Sequence, residues 1–385
     1  MTLHIQQWLF DNGPDWDLLS QFYGIDVAEY PDRVVFNYNM VDSHTKRFKP
    51  IIKECRALIL QRDTWVILSR SFDRFFNYGE DPKSKQFPIG RSQIFEKIDG
   101  SLFNVYHDGE NWNVSTRKQA FAEYETPLGN TWKSIFERGI GSGERTVEEI
   151  FSGLHIDYTY IFEGVSPETR VITPYKKHQA YLLAIRNKLT GQYLYSEKLE
   201  KIAEELQVLL PKSFEFESFK DLEDAAQSLP AVEEGYVCRD ESKNRIWYIK
   251  VKNPSYVAIA HMRGNEGLNP KRIIQLIWSE DEEEYLSYFP EDEDIVRPFV
   301  AAHALMLGQI RKSTIEAEGI ITAHGGMSRT VRKKIAKEIK TRPEAFAVFK
   351  LIDGKTLSEI FKCMPLKQKV AVTQKFVKVM TPTGD

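Results

Sequence analysis

The chain has little cysteine, no long apolar run and no excess of positive charge. Cys55, Cys238 and Cys363 are its three cysteines in 385 residues, far apart and without a C-x-x-C pair. Their odd number and wide spacing argue against a disulfide framework and point to a reducing, cytosolic compartment. No apolar stretch approaches the roughly 20 residues that a membrane span needs. The start, Met1 to Trp8, lacks the basic-then-apolar order of a signal peptide, so no membrane association is expected. The phosphate-cradling pattern G-x-x-x-x-G-K-[ST] is also absent. Lysine and arginine total 52 against 55 acidic residues, a net charge of −3. That balance excludes a wholly cationic surface, so a nucleic acid would have to meet a local patch.

What is present describes a globular protein, with 42% hydrophobic and 28% charged residues. The length predicts two domains. From about 34 to 257, short β-branched and aromatic runs recur: Val34–Tyr38, Ala57–Leu60, Leu102–Tyr106, Tyr158–Phe162 and Trp247–Lys252. Turn signals separate them, and Asp108-Gly109 predicts a hairpin. Helices are expected near 119–139, 196–206 and 219–228. After about 258 helical periodicity takes over, as in Val331, Ile335 and Ile339 among lysines and arginines. The expectation is an α+β chain: an antiparallel-sheet domain over 1–257, then an all-helical domain over 258–385.

Lys97-Ile98-Asp99-Gly100-Ser101-Leu102 is the most informative stretch. On a strand, Lys97 and Asp99 would share a face, and Gly100 would allow a close backbone approach. A lysine so placed can attack the α-phosphate of a nucleotide. It must first lose a proton, since only about one ordinary lysine in a thousand is neutral near pH 7.4. Nearby cations and a metal-bound nucleotide ease that loss. Lys350-Leu351-Ile352-Asp353-Gly354 echoes the motif with one residue too many and reads as a decoy.

Such a site needs partners. In Trp247–Lys252, Lys250 and Lys252 fall on one strand face, and Trp247, Ile249 and Val251 on the other. Glu163 and Glu234 sit near strand ends and suit a hard divalent cation, which takes one or two carboxylates plus phosphate and water. Arg56 can clamp a phosphate in two-pronged fashion. Phe75-Phe76-Asn77-Tyr78 offers rings on which a base can stack. Each signal is weak alone; a solvated glutamate, a core phenylalanine or an edge-strand lysine is as common.

The ordered set K-x-D-G, strand glutamate, E-G-Y-V and K-x-K resembles the motifs of covalent nucleotidyltransferases, the polynucleotide ligases and RNA capping enzymes. Leu102 stands where DNA ligases and capping enzymes usually carry arginine. Glu54-Cys55-Arg56, Phe162–Pro167, Arg170–Tyr175 and Leu182–Arg186 are similar to elements of the phage-type RNA ligase 1 family. Three positions depart from its pattern. Ala57 replaces the usual glycine, Arg74 replaces a lysine before F-F-N, and Thr116-Arg117-Lys118-Gln119 diverges from a K/R-G-S element.

The resemblance implies an ATP-dependent RNA ligase. Lys97 would become lysyl-AMP, and the Lys97–Gly100 turn, including Asp99 and Gly100, would meet the nucleotide. Arg56 would contact its phosphates, Arg117 would contact the nucleotide, and Phe76 would stack on adenine. Glu163 would serve the ribose and, with Glu234, a Mg²⁺ or Mn²⁺ ion. Lys250 and Lys252 would neutralise the α-phosphate as catalytic cations. AMP would pass to an RNA 5′-phosphate, and a 3′-hydroxyl would displace it, as in repair of nicked tRNA. The helical tail would bind or select RNA, with Arg329–Lys340 its best basic patch. If the chain is phage-encoded, the compartment is the host cytoplasm. The alternatives are a capping-type guanylyltransferase, a DNA ligase, or a nucleotide or RNA sensor without catalysis.

Overall fold

The computed structural model describes residues 2–40, 42–126, 128–141, 144–242, 246–264 and 268–380. The chain divides into two compact units, Met1–Val257 and Ala258–Asp385.

The first unit opens with helices α1 (His4–Asn12) and α2 (Trp16–Tyr23), which the sequence reading missed. There follow β1 (Ile25–Glu29), β2 (Arg33–Tyr38), α3 (Pro50–Glu54), β3 (Leu58–Gln61) and β4 (Ile67–Ser69). Next come β5 (Gln93–Glu96), β6 (Ser101–His107), β7 (Trp112–Thr116), α4 (Trp132–Gly141) and α5 (Val147–Phe151). The unit continues with β8 (Tyr158–Val165), β9 (Gln179–Asn187), α6 (Ser196–Leu206), β10 (Ser213–Phe214), α7 (Phe219–Ser228), β11 (Gly235–Asp240) and β12 (Trp247–Lys252). All strand pairs within the sheets are antiparallel, in the orders β1-β2-β3-β4, β7-β6-β8-β9 and β10-β5-β11-β12.

Side-chain alternation decides what each sheet covers. In β6, Phe103 and Val105 enter one core with Phe136, Phe151 and Phe162, while Leu102 and Tyr106 are buried on the opposite face. Leu199, Ala203 and Leu206 of α6 lie one helical turn apart and close the first of these cores. In β12, Ile249 and Val251 pack on Leu222 and Ala226 of α7. Each such large side chain contributes about 1.5–3 kcal/mol by leaving water. Helix α7 starts where Ser218 accepts a hydrogen bond from the Asp221 amide. The expected helix over 119–139 forms only from Trp132 onward.

Lys97–Gly100 is not part of a strand. Strand β5 ends at Glu96 and β6 begins at Ser101, so the four residues bridge two different sheets. Lys97 and Asp99 therefore do not share a strand face, contrary to the spacing argument.

The described part of 258–380 contains helices and no strand. Helix α8 (Pro254–Arg263) is followed by α9 (Pro270–Ser279), α10 (Glu282–Tyr288), α11 (Glu293–Ala323), α12 (Arg329–Ile339), α13 (Ala345–Ile352), α14 (Leu357–Lys362) and α15 (Leu366–Met380). Ala302, Met306 and Ile310 of α11 meet Ala347, Val372 and Phe376. Val331, Ile335 and Ile339 form the buried face of α12. Lys350 lies on α13, and Asp353 pairs with Arg332, so the decoy motif forms an ordinary surface ion pair.

Candidate active site

The sheet β10-β5-β11-β12 forms one wall of a cavity of about 750 Å³. Register dictates which side chains line it. Gly235 pairs with Lys252, Val237 with Lys250, and Arg239 with Tyr248, while Phe95 and Gln93 flank Val237 and Arg239 on the other side. Successive rows lie two residues, roughly 7 Å, apart. The Lys97 amide donates to the Gly235 carbonyl at 2.8 Å, which brings the lysine to the end of the first row. Gly235 has φ +128, and a Cβ there would overlap the Val251 carbonyl, so only glycine fits this corner.

Lys97 Nζ lies 2.6 Å from Glu234 Oε2, and Lys252 Nζ lies 2.6 Å from Glu234 Oε1. One buried carboxylate thus joins two cations. Burial alone would raise the Glu234 carboxyl, but Lys97 and Lys252 hold it below its ordinary range. Burial would likewise lower Lys97, but Glu234 and Glu163 outweigh it and keep the amine above its ordinary value. Among the described residues, Lys250 has no carboxylate within ion-pair distance. Burial, then repulsion from Lys97, Arg56 and Lys252, pushes its amine down to about 7. Burial pushes the Glu163 carboxyl up to about 7, against the pull of Lys97. Glu163 Oε1 also accepts from the Gly100 amide at 3.2 Å.

Arg56 lines the cavity with its guanidinium 5.6 Å from the Phe72 ring centre and 5.1 Å from that of Phe75. Its turn is held by Glu54, whose Oε1 accepts the Ile5 amide at the start of α1. Ala57, where the resembling family has glycine, adopts φ +53.

Four expected positions lie outside the cavity lining. Asp99 does not line the cavity; it is buried, with Oδ2 accepting from the Ile172 and Thr173 amides at 2.8 and 2.7 Å and Oδ1 from the Tyr256 hydroxyl at 2.6 Å. The reason is the loop geometry of 97–100, which turns successive side chains apart. Gly100 also lies outside the lining, and its missing Cβ makes room for the Gly164 carbonyl of β8. Phe76 points away from the cavity onto Phe48, with ring centres 4.8 Å apart, and its neighbour Phe75 lines the wall instead. Arg117 lies outside the lining too, over the Tyr38 ring at 4.9 Å, with Nε donating to Asn37 Oδ1. Period-two alternation places Phe75 and Phe76 on opposite sides, but which side faced the cavity had no sequence signal.

The sequence reading missed Arg239 and Tyr248, which end the lined face. Tyr248 shares the strand face of Lys250 and Lys252, and Arg239 pairs with Tyr248 from β11. Among the described residues no group of three His, Cys, Asp or Glu side chains forms a self-contained metal cage. Glu163 and Glu234 both line the cavity and offer oxygens of the kind a hard cation takes together with phosphate and water. Among the described residues, no helix is long and apolar enough to cross a membrane.

A sequence model of the RNA ligase family matches residues 54–256, which contain every side chain of this wall. The chain is 31% identical over 315 residues to a protein of Autographa californica nuclear polyhedrosis virus named as a bifunctional polynucleotide kinase/RNA ligase, covering 78% of this chain and 44% of that one. It is 27% identical over 214 residues to a Thermovibrio ammonificans protein named as an RNA ligase, covering 54% and 53%. The chain therefore spans about half the length of these curated relatives. Among solved structures it is similar to an archaeal ATP-dependent RNA ligase, at 12% identity and TM-score 0.47, covering 72% of this chain and 68% of that one. With more than half of its length matched by the family's own pattern, the chain belongs to the RNA ligase family.

Proposed function

We propose that the chain is an ATP-dependent RNA ligase that joins 5′-phosphate and 3′-hydroxyl RNA ends through lysyl-AMP. The observation that carries this is the convergence of one lysine held by a carboxylate, two further lysines and a second carboxylate on one cavity. Pure nucleotide binding would not require an amine in that position.

Lys97 Nζ attacks the α-phosphorus of ATP. A P–N bond forms, the bond to the pyrophosphate oxygen breaks, and pyrophosphate leaves. Lys97 must shed a proton to solvent first, and Glu234 Oε2 holds and orients the amine. Lys250 and Lys252 face the same space and offset the charge that grows on the α-phosphate. Arg56 binds the departing phosphates from the Phe72–Phe75 side. Mg²⁺ or Mn²⁺ held by Glu163 and Glu234 would supply positive charge that favours the neutral amine and screens the phosphates. In the second step an RNA 5′-phosphate oxygen attacks the same phosphorus and the P–N bond breaks. In the third, an RNA 3′-hydroxyl attacks the 5′-phosphate and AMP leaves.

The exposed cations of the 329–340 stretch, Arg329, Lys333, Lys334, Lys337 and Lys340, support an RNA-binding role for residues 258–385, and nicked tRNA is the substrate we propose for it. The test compares α-labelled ATP with GTP, then offers 5′-phosphorylated RNA or nicked DNA. Label from ATP that passes to RNA supports the proposal. Exclusive use of GTP, or sealing of DNA alone, overturns it.

A further inference from the structure

Beside the cavity, residues 44–53 build a second feature that the three-step chemistry leaves unused. Lys46 and Lys49 reach back to α2: Lys46 Nζ donates to the Phe22 carbonyl at 2.5 Å, and Lys49 Nζ lies 5.4 Å from the Tyr23 ring centre. Arg47 lies 4.7 Å from the ring centre of Phe48, which in turn packs on Phe76. Lys53 is 5.6 Å from the Phe76 ring centre. Three cations of this strip thus sit against aromatic rings: Lys49 on Tyr23, Arg47 on Phe48 and Lys53 on Phe76.

Three properties single it out. Phe48 is 39% exposed although it sits among cations. Among the described residues, Glu80 is the single carboxylate within ion-pair distance of these four cations, 3.3 Å from Arg47. The segment is also anchored at both ends. Buried Ser43 accepts from Arg74 Nη1 at its start, and α3 begins at Pro50. The strip meets the cavity wall, because the Arg74 amide donates to the Lys53 carbonyl and the next residue, Phe75, lines the cavity.

Exposed rings that accept any base face, set among cations spaced along a chain, suit a single-stranded polynucleotide. Duplex RNA would hide its base faces from Phe48. We infer that residues 44–53 form a track for single-stranded RNA, with Phe48 as a stacking platform and Lys46, Arg47, Lys49 and Lys53 meeting the phosphates. The strand is the one whose 5′-phosphate enters the cavity. The inference rests on the ligase reading for that strand's identity.

The test uses the full chain with Phe48→Ala and with the double variant Lys46→Ala/Lys49→Ala. Binding of a 5′-phosphorylated single-stranded RNA is followed by anisotropy across salt concentrations, and lysyl-AMP formation and AMP transfer to that RNA are measured separately. Phe48→Ala should weaken binding about tenfold. The double variant should lower the slope of log affinity against log salt by about 1.4. In both, AMP transfer should fall about tenfold more than lysyl-AMP formation. Wild-type RNA affinity and transfer in both variants would overturn the track. So would an equal fall in lysyl-AMP formation and transfer, which would assign the strip to the nucleotide. A wild-type chain that formed no lysyl-AMP would instead overturn the ligase reading, with RNA affinity still deciding the track.

Discussion

Lys97 Nζ and Glu234 Oε2 are 2.6 Å apart, and the same carboxylate binds Lys252 through its other oxygen. The free protein thus holds its candidate nucleophile as a paired ammonium. Glu234→Gln removes the charge that keeps the Lys97 amine high. The variant should lose lysyl-AMP formation by at least about a hundredfold, in line with loss of a preorganised charge. Its Lys97 should nevertheless react faster with an amine-selective reagent near pH 8. Unchanged Lys97 reactivity would contradict the pairing.

The cavity is electrostatically uneasy at neutral pH. Glu163 rises from 4.5 to about 7 on folding, so the folded chain binds more protons between those values, and stability falls as pH rises through that window. Lys250 drops from 10.5 to about 7, so the unfolded chain binds more protons above 7, and stability rises with pH there. Together these two groups put a minimum near pH 7. Glu163→Gln should flatten the fall on the acid side and Lys250→Met the rise on the alkaline side. Denaturant titrations at several pH values check both.

Asp99 serves the loop that follows β8. Its carboxylate collects the Ile172 and Thr173 amides and the Tyr256 hydroxyl. Asp99→Ala would strand these buried donors at a cost of about 1–3 kcal/mol each. Amide exchange at residues 172 and 173 should accelerate before global unfolding. Tyr256→Phe should remove one bond and destabilise by about 1–2 kcal/mol.

Ala57 holds φ +53 in a buried position. Left-handed backbone costs a residue with a Cβ about 1–2 kcal/mol, while its buried methyl returns about 0.8 kcal/mol. Ala57→Gly should therefore leave thermal stability within about 1 kcal/mol of wild type. Ala57→Val should lower it clearly, because a β-branched side chain fits that conformation badly.

The convergence of Lys97, Glu163, Glu234, Lys250 and Lys252 was legible because strand alternation alone sorts Lys250 and Lys252 from Ile249 and Val251. Asp99 and Phe76 lie outside the cavity lining for a different reason. Whether a side chain after a strand end turns in or out depends on the loop path, which long-range contacts such as Asp99 with Tyr256 decide. Helices α1 and α2 escaped notice because each is short, nine and eight residues, which leaves little room for a helical period to show. The start of α1 is tied by a tertiary bond, the Ile5 amide to Glu54, that no local pattern announces.

The most direct measurement is to incubate the chain with ATP and a divalent cation, digest it, and locate any AMP adduct by mass. An acid-labile adduct on Lys97, absent from Lys97→Ala, is the predicted result. An adduct on another residue, or none while the protein still joins RNA, would contradict the central claim.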